Sequence, residues 1–220
     1  MKFKIVVISF VILIIQGCIP SIHPLWTQDK LVFDENLLGG WTESEADENT
    51  TWYFSGGFDK KKNLVEGYEL IHKYQKSEAK FEIHLVKLGE HLFFDIFPDD
   101  LDYLRFEDKT LGVPIQFSGF GNSKADEPDI HLNMLYFEHM MPVHTFAKVE
   151  IENDEIKIYR FDQDWLDDLF KQRKVRIKHE ETSDGQIILT APTSDLQKFF
   201  EKYANDEKAY LDPIILHRNI

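Results

Sequence analysis

The sequence predicts a mainly β fold with two or three helices, built as an antiparallel barrel or a strongly curled sheet. Three features carry that expectation. Period-two apolar patterning dominates from residue 50 onward, neighbouring runs meet at two-residue turn signals, and only two clear stretches switch to helical spacing. One helix is expected between late strands and another near the C-terminus, packed on the sheet.

The chain opens differently. Lys2 and Lys4 precede an almost unbroken apolar run from Ile5 to Ile15. A basic start before a short apolar core is the pattern of a secretory signal, and the run is shorter than the about 20 residues a membrane-spanning helix needs. It leads into Ile15-Gln16-Gly17-Cys18, which holds the single cysteine of the chain. These four residues resemble the lipobox of bacterial lipoproteins. The resemblance implies cleavage between Gly17 and Cys18, a diacylglycerol on the Cys18 sulfur and an N-acyl chain such as palmitate on the freed amine. Two or three acyl chains hold a protein stably at a membrane, where one alone is marginal. Residues 1–17 are then a signal peptide, 18–36 a lipidated tether carrying Pro20 and Pro24, and 37–220 one domain. The place implied is the bacterial cell envelope, lipid-anchored at the outer membrane.

Charge limits the partners. Acids outnumber Lys and Arg by 39 to 25, a net charge of −14, and loss of Lys2 and Lys4 with the signal deepens this to −16. Such a polyanion repels phosphate backbones, which argues against nucleic acid. It argues equally against adsorption on anionic lipid and leaves the acyl anchor as the membrane contact. With Cys18 lipidated, neither a disulfide nor a thiolate metal site is available. Eighteen phenylalanines supply a dense core.

The strands follow in order. "TTWYF" (50–54) is short; "LVEGYELIHKY" (64–74) places Tyr68, Leu70, His72 and Tyr74 on one face. "KFEIHLVKL" and "HLFFDIF" flank Gly89-Glu90, and glycine at the first central position suits a type II′ turn. That turn opposes Leu85 to Phe94, Ile83 to Ile96, Val86 to Phe93 and His84 to Asp95. Both faces of the second strand are apolar around one acid, so this part of the sheet is expected to be covered on both sides. In 143–162 a turn at Asn153-Asp154 sets Glu150 against Lys157, Val149 against Ile158 and Ile151 against Ile156. Asp184-Gly185 signals a third hairpin between "VRIKHEE" and "QIILTA".

Two helices interrupt this pattern. "DQDWLDDLFKQRK" spaces Trp165, Leu166, Leu169 and Phe170 helically, with acids in its first turn and Lys171, Arg173 and Lys174 in its last, as the helix dipole favours. "SDLQKFFEKYAND" offers Ser194 and Gln197 as a capping box and Leu196, Phe199, Phe200 and Tyr203 as its apolar face. Residues 98–141 read as a long insertion with one short strand and a short helix near "HLNMLYFEHM".

Gly39-x-Trp41, just before the first strand, resembles the G-x-W motif of lipocalins. The resemblance implies a lipocalin-like barrel with a helix after the last strand, although no T-D-Y motif is present and the helix near 164–173 has no counterpart in a plain lipocalin meander. The "HP" tether, G-x-W, "HLVKLG-x-HLF-x-D" and "PVHTF" elements together resemble a group of bacterial lipoproteins over most of the mature chain, a likeness that carries no activity with it.

Chemistry is sparse. No G-x-S-x-G elbow occurs, and Ser118-Gly119 in "QFSGFG" reads as turn chemistry rather than an anion cradle. His131, His139 and His144 cluster in sequence but complete no H-E-x-x-H or H-x-x-E-H, so no metal is expected. His84 opposite Asp95 is the most specific constellation: a polar pair in a ligand pocket, with the carboxylate raising the histidine's pKa, or a structural pair in a covered face. His144 and Trp41 are candidates for the pocket or the strand ends. The expected function is carriage or sensing of a small apolar ligand in the barrel mouth, without catalysis or cofactor beyond the lipid. The alternative is an envelope assembly or interaction factor, binding an envelope protein, with a barrel packed solid.

Overall fold

The computed structural model describes residues 19–44, 50–58, 64–74, 77–98, 105–106, 141–183 and 185–219. In chain order its elements are β1 (Pro20–Ser21), β2 (Gly39–Glu43), β3 (Thr51–Phe58), β4 (Leu64–Tyr74), β5 (Ser77–Leu88), β6 (His91–Pro98), β7 (Arg105–Phe106), β8 (His144–Ile151), β9 (Glu155–Arg160), α1 (Gln163–Lys171), β10 (His179–Glu181), β11 (Ile187–Leu189), α2 (Thr193–Tyr203) and β12 (Ile214–Arg218). Eight of the strands close into an antiparallel barrel, β2-β3-β4-β5-β6-β8-β9-β12, and β12 pairs with both β9 and β2 to shut the ring. Order around the barrel follows order along the chain, the up-and-down arrangement that removes sheet edges.

Local chemistry sets the registers. Gly89 sits at φ +59°, a state that L side chains rarely adopt, so glycine suits this turn. The turn opposes Ile83 to Ile96, His84 to Asp95, Leu85 to Phe94 and Val86 to Phe93, as expected. The second hairpin pairs Val149 with Ile158, Glu150 with Lys157 and Ile151 with Ile156. The third joins β10 to β11, His179 opposite Leu189 and Glu181 opposite Ile187, with Gly185 at φ +85°.

Alternation then sorts side chains onto two faces, and each face has its own core. Inside the barrel lie Trp41, Phe54, Tyr68, Leu70, Ile83, Leu85, Phe94, Val149, Ile156, Ile158 and Leu216, all buried. Outside, Val86, Leu88, Phe93 and Phe146 are covered by the chain between β9 and β12. That excursion brings Phe161, Leu166, Leu189, Leu196, Phe199 and Phe200 onto the sheet. The apolar residues on both faces of "HLFFDIF" are explained: Phe94 points inward and Phe93 packs against Phe200, with ring centroids 6.4 Å apart. Among the described residues the two cores together run from Ile19 to Leu216.

Three expectations change. From Ile19 on, the segment read as a tether is part of the packed structure. Ile19, Ser21 and Leu25 are buried, β1 pairs with β8 and β11, and Leu31 pairs with Val86 of β5. Its prolines break periodicity without preventing burial, because acceptors and donors on the domain take up its backbone. Thr193 donates to Pro24 O, and Gln197 donates to Leu25 O and Thr27 Oγ1. Gln197 is thereby spent elsewhere, so the capping box does not form. α2 begins at Thr193 after Pro192, with no side-chain cap. Finally, the C-terminal helix is not the last element, since β12 follows it and completes the barrel. α1 forms as expected, capped by Asp162 accepting from Asp164 N at 2.9 Å. β7 is the short strand expected within 98–141, while the short helix near "HLNMLYFEHM" lies outside the described residues.

Candidate functional site

One end of the barrel is plugged. Residues 35–37 form a short 3-10 turn that places Leu37 under the barrel, and the Trp41 indole donates to Leu37 O at 2.9 Å. Gly39 of the G-x-W motif stands at φ +110°, a backbone state that turns the chain from this plug into β2. Arg218, opposite Trp41 in β12, lays its guanidinium carbon 4.2 Å from the indole centroid. Tyr68 seals the same end: its hydroxyl accepts from Asp34 N at 2.6 Å, and burial pushes its pKa up to about 12. Above the plug the barrel is filled by Phe54, Phe94, Leu70, Ile83, Ile158 and Leu216.

The other end is built differently. The row that begins at Trp41 climbs through Trp52 and His72, away from the plug. At that level the inward side chains are Trp52, His72, Phe81, Ile96, Arg160 and Ile214, all half-buried and resting on the filled layer below. This ring pairs aromatic and aliphatic walls with polar atoms that have no partner. Trp52 Nε1 and Arg160 Nε are shielded from solvent and make no hydrogen bond. Thr50, two residues before Trp52 and on the same face by alternation, is 2% exposed, and its Oγ1 is likewise unpartnered. His72 meets the edge of Trp52 at 4.8 Å between ring centroids, and burial holds its pKa below the ordinary histidine value. Buried donors of this kind call for an acceptor from water or a ligand.

His84, Asp95 and His144 come together elsewhere, on the outer face beneath the N-terminal segment. The register opposing His84 to Asp95 is as expected, but the hydrogen bonds are not. Asp95 is 1% exposed and both its oxygens are taken: Oδ1 by His144 Nδ1 at 2.7 Å, Oδ2 by the Leu25 N–H at 2.6 Å. His84 instead stacks on Trp26 at 4.5 Å, with Nε2 3.4 Å from Glu82 Oε1. Its pKa is lowered, not raised, because burial outweighs the attraction of Glu82 and Asp95. Of the two readings of this pair the structural one fits: Asp95, with His144 rather than His84 as its partner, clasps the turn at Leu25. Ser21 lies opposite His144, yet it is fully buried and donates to His23 O at 2.8 Å, so it offers no activated nucleophile. Among the described residues no group of three His, Cys, Asp or Glu is placed to hold a metal.

No family model, curated protein or solved structure matches this chain. The fold therefore rests on its own geometry. Gly17, Cys18, Ser118, His131 and His139 lie outside the described residues. The ring at the unplugged end has one signal in the sequence. In "EIKIYR" the inward positions read Ile156, Ile158, Arg160, a charge placed where alternation demands an apolar residue.

Proposed function

We propose that this protein is a lipid-anchored envelope protein whose barrel binds one small apolar ligand at its open end. The observation that carries this is the half-buried ring of Trp52, Phe81, Ile96 and Ile214, in which Thr50 Oγ1, Trp52 Nε1 and Arg160 Nε lack partners. Binding sites combine apolar walls with a few placed polar groups in just this way. The ligand rests its apolar body on the ring and gives an acceptor atom to the enclosed donors. Cys18 carries the diacylglycerol and N-acyl lipid that hold the barrel at the outer membrane.

A native mass spectrum of the protein extracted from its membrane tests the ligand directly, and titration with the apolar dye N-phenyl-1-naphthylamine gives a second readout. Saturable binding of one dye per chain, abolished by Thr145→Trp at a half-buried position opposite Ile96 of the ring, is the expected result. The filled lower barrel favours the second reading, an assembly or interaction factor with no ligand. An absent copurified mass together with unsaturable dye binding would select it. Anchoring has a separate test: labelled palmitate should enter the wild type and not Cys18→Ser.

A further inference from the structure

The net charge conceals a local exception. Residues 171–178, "KQRKVRIK", hold five cations and no acid. Lys171, Arg173, Lys174, Arg176 and Lys178 are all exposed, and none forms an ion pair among the described residues. Their backbone is held from beneath. Val175 and Ile177 pack into the outer core, and Phe170 stacks on His179 at 3.8 Å. Alternation thus turns the aliphatics inward and the cations outward, as a fixed row rather than a loose tail.

Arg173 adds an independent sign. It stands at φ +55°, just past the end of α1, where its N–H donates to Phe170 O and that of Lys174 to Leu169 O. This is the position at which helices ordinarily place glycine. An arginine there is strained, and what it supplies that glycine cannot is a charge.

The row also has a defined place. It runs into β10, β10 pairs with β11, and β11 pairs with β1, which starts two residues after Cys18. Two strand spacings, about 10 Å, separate β1 from the strand the row leads into. Because Ile19 is packed, no free linker lies between Cys18 and the domain. An anchored Cys18 would hold this flap against the bilayer.

We propose that the Lys171–Lys178 row is a contact surface for anionic phospholipid headgroups, which fixes how the barrel sits on its membrane. Each Lys or Arg at an anionic surface strengthens attachment and adds to an acyl anchor. Acids adjoin the row at its α1 end, where Asp167 feels Lys171 together with Asp164, Asp168 and Glu181. The inference rests on the anchor reading only for where the bilayer lies.

The test uses the chain from Ile19 to Ile220, which carries no acyl chain and whose cooperative thermal unfolding is verified first. Its outcome is therefore independent of the palmitate experiment. Cosedimentation is measured with vesicles of phosphatidylcholine alone and with phosphatidylcholine mixed with phosphatidylglycerol. Salt-sensitive binding to the mixed vesicles is expected. It should weaken by at least about tenfold in K171Q/R173G/K174Q/R176Q/K178Q, whereas K87Q/K198Q/K208Q, exposed lysines elsewhere, should bind as wild type. An unchanged thermal midpoint for the quintuple variant confirms that its fold is intact. Equal binding by wild type and the quintuple variant would overturn the proposal, as would indifference to phosphatidylglycerol. Wild-type binding to polyglutamate but not to vesicles would also overturn it, by making the row a protein-binding surface.

Discussion

Arg218 lies over the indole of Trp41, its guanidinium carbon 4.2 Å from the ring centroid, and so ties the last barrel strand to the first. The same side chain donates to Leu38 O at 3.1 Å, to Asn153 O at 2.9 Å and to Asn36 O, three carbonyls from two other segments. Arg218→Ala should cost about 2–4 kcal/mol, the sum of a cation–π contact and orphaned carbonyls. Arg218→Lys should recover little, because one ammonium cannot reach all three carbonyls from above the ring. Full recovery by lysine in urea unfolding would show that only the charge matters.

Asp95 should be the costliest polar residue of the outer face. Asp95→Ala leaves the buried Leu25 N–H and His144 without an acceptor, a loss of about 2–4 kcal/mol. A double-mutant cycle with His144→Ala should show strong coupling, and one with His84→Ala should be near additive. Coupling to His84 instead would restore the pairing that strand register alone suggests.

That contrast shows what the sequence made legible. The registers of β5–β6 and β8–β9, and the existence of the β10–β11 hairpin, are readable because each depends on a turn of a few residues, and turn chemistry is local. β6 also pairs with β8, setting Asp95 opposite Phe146, but no short turn joins those strands. Their register crosses the 98–141 insertion, so the choice of His144 over His84 left no trace in spacing. The segment from Ile19 to Thr27 is hard to read for a related reason. Its burial comes from hydrogen bonds to Thr193 and Gln197, far along the chain, and not from any period of its own. β12 is hard to recognise as only five residues behind Pro213, although Ile214, Leu216 and Arg218 alternate inward.

The two phenylalanines of α2 should differ in cost. Phe200 is fully buried among Phe93, Phe146 and Phe161, with ring centroids 4.6–6.4 Å away. Phe200→Ala should cost about 3–5 kcal/mol. Phe199 is 8% exposed and leans on Trp165 and Tyr203 at the edge of the layer. Its partners can close in, so Phe199→Ala should cost less. Equal losses by chemical denaturation would place both rings equally deep.

Acid should loosen the fold through its buried histidines. Burial holds the pKa of His84 below the ordinary value of 6.5, with Glu82 and Asp95 opposing the shift and His144 adding to it. The unfolded chain then binds the proton more tightly than the folded one between the lowered pKa and 6.5. Stability is full above 6.5 and falls as pH drops through that window, the reverse of what a carboxylate-paired histidine would give. His72 acts with the same sign, through burial alone. His84→Phe keeps a ring against Trp26 and removes the titration, so it should flatten the decline between 6.5 and about 5, above the range where carboxylates protonate. His84→Phe and His72→Phe together should flatten it further. Urea midpoints measured across that interval decide the matter: a decline as steep in the double variant as in wild type would place the acid sensitivity in other groups.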